Sequence, residues 1–329
     1  MRAAFPLVFI TPNAAHMKYI KSLFQVFVQS LKDFSSDNAM KFSASLSYYT
    51  TFSIAPMLII IIGLAGVFFG REAVQGEVYR QFSGLIGSNA ADFLQTAIGN
   101  MEISGRSWLA TGIGIVTLLL GATGVFTELQ DSLNIIWSLK AKPRKGILQY
   151  LMNRVISFSM VLTLGFMLIV SLLVNTVINL LSERIFTIYS EWAWIAQTLN
   201  VAFIIAIVTT LFAFMFKFLP DAKIEWRHVW VGALFTSGLF LLGKFAIGFY
   251  LSNSSIATSF GAAGSLAILL AWVYYSSAIL FFGAEFTKNY SIAKGDKIVA
   301  NDYANFVIPK EKELPDSSDL QKMQAAKEK

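Results

Sequence analysis

AAGSLAILLAWVYYSSAILFFGA, residues 262–284, carries no charged side chain, and the residue that follows it is Glu285. A helix rises about 1.5 Å per residue, so a block of about 20 apolar residues covers a hydrocarbon core of roughly 30 Å. Read this way, the stretch is a membrane crossing. The rest of the chain supports that reading. It is 55% hydrophobic and only 14% charged, with a mean hydropathy of +0.60, whereas soluble chains carry about 25% charged residues. The expected fold is all-α, a polytopic membrane protein.

Working outward, six such blocks stand near 52–70, 108–127, 151–181, 196–218, 230–250 and 262–284, within a membrane domain spanning 38–290. The block at 151–181 is long for a simple crossing and implies tilt or protrusion. Pro56 should kink the first span or define its first turn. Trp108, Trp137, Trp192, Trp194, Trp226, Trp230 and Tyr250 gather near span ends, as interface anchors do. Over 18–37 the pattern is amphipathic. Ile20, Leu23, Phe24, Phe27, Leu31 and Phe34 share one helical face, opposite Lys18, Lys21, Gln25, Gln29 and Lys32. Such a helix suits the membrane surface rather than its interior.

The remaining segments are less regular. Residues 1–17 fit a signal segment poorly, since the apolar run contains Pro6 and no small-x-small cleavage site follows it. The other reading starts the natural chain at Met17 and leaves a non-native extension before it. Within 71–107, AADFLQTAIGNM is expected as a partly embedded helix. The cytoplasmic tail 291–329, rich in Lys, Glu and Asp from about Gly295, is expected to be mostly disordered there.

Charge placement sets the orientation. Lys and Arg number 21 on one set of loops and termini and 4 on the other, with Lys244 inside a span. The bias puts both termini in the cytoplasm. The formal charge of +6 follows this topology and needs no nucleic-acid partner. There is no cysteine, and His16 and His228 are the only histidines. Disulfides and thiolate metal sites are excluded. No catalytic residue, metal site or cofactor is expected.

Polar residues at membrane depth are the functional candidates. In GATGVFTELQDSLNIIW, 121–137, Val125, Phe126, Leu129, Leu133, Ile136 and Trp137 share an arc of about 120°, and Glu128, Gln130, Asp131 and Asn134 fall outside it, with Ile135 as the lone apolar exception. Glu128 is about 30 Å along the helix from Trp108, at the boundary rather than the midplane. The polar arc faces either cytosol or an inner vestibule. Lys244 lies about 21 Å into its span. It either snorkels outward or faces a cavity beside Asn175 and Asn179, at a cost of about 2.5–3.5 kcal/mol if unpaired. Ser43, Ser47 and Thr51 form a hydroxyl row suited to helix packing or to lining a pathway. Glu285 completes the pathway candidates. Gly261 and Gly264, in SNSSIATSFGAAGS, permit a gating or re-entrant backbone.

Four segments carry a resemblance: FSASLSYYTTFSIAP at 42–56, GATGVFTELQDSLNIIW at 121–137, FLPDAKIEWRHVWVGAL at 218–234, and YLSNSSIATSFGAAGSLAILLAWVYYSSAILFFGAEFT at 250–287. With the spacing of the spans, the chain resembles the YihY/BrkB family of bacterial inner-membrane proteins over roughly 18–290. The resemblance implies six spanning helices in the plasma membrane. About activity it implies less. Family members are described as uncharacterised, as virulence or serum-resistance factors, or as transporters of lipid-like envelope substrates. An older label in the family is ribonuclease BN, a transfer-RNA processing nuclease.

Nuclease chemistry is the least supported reading, since metal-dependent phosphodiester cleavage needs clustered His and carboxylate ligands. Nothing in the spacing of Glu128, Asp131, Asp221, Glu225 and Glu285 announces such a cluster. A transporter or exporter of an amphipathic envelope component fits the polar stripes and the intramembrane lysine better. The alternative is a membrane scaffold without transport. The expected partners are the lipid bilayer, an amphipathic or lipid substrate and a second copy of the chain in a homo-oligomer.

Overall fold

The computed structural model describes residues 14–104, 124–141, 193–253, 262–296, 298–301 and 304–307. These residues are mostly helical. Helix α1 (Ala14–Ser36) is followed by α2 (Ala39–Phe69), α3 (Arg71–Ile86), α4 (Ser88–Ser104) and α5 (124–136). Strand β1 (Leu139–Ala141) comes next, then α6 (Ala193–Phe218), β2 (Ala222–Lys223), α7 (Trp226–Asn253) and α8 (Ala262–Ala293). Two short strands close the order, β3 (Val299–Ala300) and β4 (Ala304–Phe306).

Local sequence explains the breaks. Gly70 and Gly87, at φ 81° and 84°, end α2 and α3 in a backbone region that side chains disfavour. Asn38 turns α1 into α2 at φ 58°, where Asn is better tolerated than most residues. Pro220 follows the end of α6 and cannot donate to a continuing helix. Pro56 lies inside α2, which begins at Ala39, so it does not form a first turn.

Three described helices are long and apolar enough to cross a membrane: α6 over Val201–Phe218, α7 over Trp226–Tyr250 and α8 over Ala263–Ala293. Their outward faces are greasy. On α7, Leu242, Phe245 and Phe249 are 69%, 73% and 74% exposed, which only a lipid environment makes cheap. The expected span at 151–181 and most of that at 108–127 lie outside the described residues.

Helix α8 is the hub, packed by α1, α2 and α7, with α6 against α7. The α7–α8 crossing is a reciprocal pair of Gly-x-x-x-Thr steps. A Cβ on Gly232 would overlap Thr287, and one on Gly283 would overlap Thr236. Each threonine hydroxyl donates back to its own glycine carbonyl, Thr236 to Gly232 and Thr287 to Gly283, both at 2.7 Å. Small residues let the backbones approach, and the hydroxyls are satisfied without crossing the interface. A second cluster joins α2, α3, α4 and α8 through Leu58, Val74, Leu94 and Leu269.

One sequence expectation changes at the polar end. The tail expected to be mostly disordered from about Gly295 carries two paired strands within its described residues. Helix α8 continues to Ala293, β3 pairs antiparallel with β2 (Ala222↔Ala300) and β4 with β1 (Ala141↔Ala304). Backbone pairing to loops of the bundle orders a stretch whose composition alone reads as solvated. The segment 90–101 is helical as expected, inside α4, with Ala90, Leu94 and Ile98 buried against the bundle. Helix α1 lays Phe27 and Phe34 edge-on to Phe282 and leaves Phe24 and Leu31 exposed.

Candidate functional site

A partly open cavity of about 290 Å³ lies between α2, α5, α6, α7 and α8. Its wall is built mainly from Leu46, Ile54, Phe126, Leu129, Phe212, Phe240, Trp272 and Leu280, with hydroxyls from Thr50, Ser53, Ser276 and Ser277. Helical spacing makes this wall. Thr50, Ser53, Ile54 and Met57 recur on one face of α2, and Trp272, Ser276 and Leu280 on one face of α8. The volume is close to the lower end of ordinary small-molecule pockets, roughly 300–1,000 Å³. Ser276 Oγ is buried and has no hydrogen-bond partner among the described residues. An unpaired hydroxyl in an apolar wall costs about 1–3 kcal/mol until something bonds it.

Below the cavity the α5 helix ends in a polar layer, and this accounts for its carboxylates and amides. Asn134 is buried and clasps the loop after α6. Its Nδ2 donates to Asp221 Oδ2 at 2.9 Å, and the Asp221 backbone N–H donates to Asn134 Oδ1 at 2.8 Å. Gln130 Nε2 donates to Asp221 Oδ1 at 3.3 Å. Asp131 is turned outward, and its carboxyl is held above the ordinary 3.8 by partial burial, then by the charges of Glu128 and Asp221. Glu128 is half-buried.

The other side of the α5 terminus meets α8 and α1. Lys288 Nζ donates to the Ile136 carbonyl at 2.9 Å, placing a cation at a helix C-terminus. The same ammonium pairs with Glu285 at 2.5 Å and lies 3.6 Å and 3.5 Å from Asp33 and Asp37. Glu285 is fully buried. Asn289 joins α8 to α1 by donating to Asp33 at 2.9 Å and to Ser30 at 3.3 Å. A single buried lysine thus ties three helices.

The sequence candidates separate cleanly. Asn134 and Glu285 sit in the polar layer, in two different clusters. Ser43, Ser47 and Thr51 are buried but donate to carbonyls of their own helix, Ala39, Ala44 and Ser47. The cavity is lined by the adjacent row, Thr50 and Ser53. Lys244 is half-buried on α7 and makes no hydrogen bond or ion pair among the described residues. Asn175, Asn179 and Gly261 lie outside those residues, and Gly264 is buried in the first turn of α8. Sequence reading missed Lys288, Asn289, Asp33, Ser276 and Trp272. EFTKNYS, 285–291, has a helical polar spacing that could have marked the first two. Among the described residues one group could share an ion: Glu225, His228 and Asp296, whose ligand atoms lie within 4.8 Å of one another.

Comparison with known proteins places this architecture. A family model described as "Virulence factor BrkB" matches residues 30–302. A UPF0761 membrane protein of Azotobacter vinelandii is 28% identical over 79% of this chain and 62% of its own length. Two others, from Photobacterium profundum and Aeromonas salmonicida, are each 27% identical, over 79% and 77% of this chain and 81% and 84% of theirs. The chain therefore spans less than two thirds of the Azotobacter relative. These relatives carry no enzymatic name. No solved structure matches the chain.

Proposed function

We propose a function on the premise that this chain, by its match over residues 30–302, belongs to the virulence factor BrkB family of membrane proteins. It is a six-helix protein of the bacterial inner membrane that binds, and moves or helps move, an amphipathic, lipid-like envelope component. The observation that carries this reading is the apolar cavity with an unpartnered hydroxyl, Ser276, in its wall. An apolar tail fills the cavity, and a polar group near its end satisfies Ser276. Both termini are cytoplasmic, so the polar layer around Asn134 and Lys288 closes the cytoplasmic end. Helix α1 rests on the inner interface, with Phe24 and Leu31 reaching into lipid.

Purified protein in liposomes tests this. A headgroup-labelled fluorescent phospholipid placed in one leaflet should cross faster than in protein-free vesicles. Ser276→Trp, which fills the cavity, should abolish the gain while the protein still inserts. Equal rates with and without protein overturn transport and leave a membrane scaffold as the reading.

A further inference from the structure

The loop before α7 and the segment after α8 meet at a cluster that neither the cavity nor the polar layer uses. Glu225 supplies the carbonyl that opens α7, accepting the Val229 N–H at 3.2 Å. One turn on, His228 is 2% exposed, packed beside the Tyr290 ring at 5.7 Å. Asp296 lies just beyond α8, where its N–H donates to the Ser291 carbonyl at 3.2 Å. Its Oδ2 sits against His228 Nδ1 and 3.5 Å from Ser291 Oγ. Despite that proximity His228 Nδ1 has no aligned hydrogen bond among the described residues. The buried imidazole is held against one carboxylate, Asp296, and the ligand atoms of all three residues lie within 4.8 Å of one another. Beside them is a hollow of about 230 Å³ bordered by Glu225, Ser291, Asp296 and Lys223.

We propose that Glu225, His228 and Asp296 form a binding site for a divalent transition-metal ion of the zinc class, which fastens the segment after α8 to the start of α7. The donor set is right for that class: one imidazole nitrogen and carboxylate oxygens, with open positions for water. Magnesium, which prefers oxygen ligands and keeps its waters, suits a buried imidazole poorly. The ligand atoms span up to 4.8 Å, and Glu225, 61% exposed, closes that distance by rotating. Arg227 now occupies the place of the cation. Its Nε is 3.2 Å from Glu225, and its Nη2 is 3.7 Å from Asp296. It is 70% exposed and can swing into solvent when an ion arrives. Because Asp296 precedes β3, which pairs with β2, the ion would join the same two chain segments that the strands already join. The inference is independent of the transport reading.

The test uses the full chain in detergent, free of any purification tag and stripped with chelator. Zn²⁺ is titrated by calorimetry, and Co²⁺ binding is followed by its visible absorption. The wild type should bind one equivalent that His228→Gln and Asp296→Asn each weaken at least tenfold. Arg227→Gln should tighten binding, because it removes the competing cation, and Mg²⁺ should fail to displace Co²⁺. No saturable equivalent in the wild type overturns the proposal. Binding unchanged in both ligand variants overturns it as well, as does equal displacement by Mg²⁺. Arg227→Gln is exposed and does not threaten folding, so a loss of affinity in that variant would also count against the site.

Discussion

The middle of the bundle and its polar end are built from the same helices, yet they treat polar groups in opposite ways. In the middle, most hydroxyls bond their own helix, as Ser43, Thr51 and Thr236 do, Ser276 stands unpaired among the described residues, and a single hydroxyl pair, Thr209 and Ser237 at 2.7 Å, joins α6 to α7. Helix contact there depends on shape. At the end, Asn134, Asp221, Lys288, Asp33 and Asn289 bond across elements far apart in sequence. Contact there depends on partners. The difference teaches where function has room: the middle leaves a cavity unfilled, whereas the end spends its polar groups on closure.

Substitutions can break this contrast, and the largest effect should come from the end. Lys288→Met leaves Glu285 buried without its cation and frees the Ile136 carbonyl. A loss of about 3–5 kcal/mol is expected, as for other broken buried pairs. Adding Glu285→Gln should recover much of it. Thermal unfolding in detergent compares the two, and a single variant no worse than the double would mean the pair does not hold this end together.

Asn134→Ala should cost roughly 1–3 kcal/mol, since Asp221 loses both a donor to its carboxylate and the acceptor of its N–H. The same unfolding assay measures it. A neutral result would show that the loop after α6 is held by its strand instead. In the middle, Gly283→Leu should cost roughly 1–3 kcal/mol by overpacking against Thr236. Gly238→Leu, on the partner helix α7 but facing open space, should be close to neutral. Equal costs for the two would place the sensitivity in helix propensity rather than in the crossing.

The smallest effect is electrostatic. The Asp131 carboxyl is raised in the folded state, so folding favours its protonated form. That favourable contribution is complete at low pH. It is lost as pH rises from the ordinary carboxylate value through the raised one, because in that window the folded state still holds a proton that the unfolded state has released. Asp131→Asn should remove this slope and shift stability at neutral pH by no more than about 0.5 kcal/mol. Unfolding midpoints compared across acid pH check it, and an unchanged slope would assign the dependence to another group.

Much of the architecture was legible because bilayer dimensions constrain composition. The spans at 196–218, 230–250 and 262–284 coincide with α6, α7 and α8 to within a few residues, except at the end of α8. The expected span stopped at 284 because Glu285 ends the uncharged run, although Glu285, Lys288 and Asn289 are all buried in the folded bundle. The hydroxyl row at 43, 47 and 51 was visible as a pattern. Its neighbour row, which lines the cavity, carries no more signal than any apolar helix face.

The amino-acid order by itself therefore determined that this chain is helical and lives in a membrane, because apolar length and charge placement are properties of segments. It also marked the 121–137 stretch as a helix end with one polar arc. Only the tertiary structure decided what that arc is for. Asn134 meets Asp221 eighty-seven positions away, and the helix end meets Lys288 after 152. The same holds for His228 and Asp296. Whether a polar side chain is wet, paired or waiting for a ligand depends on what the fold brings against it, and no periodicity within one segment encodes that.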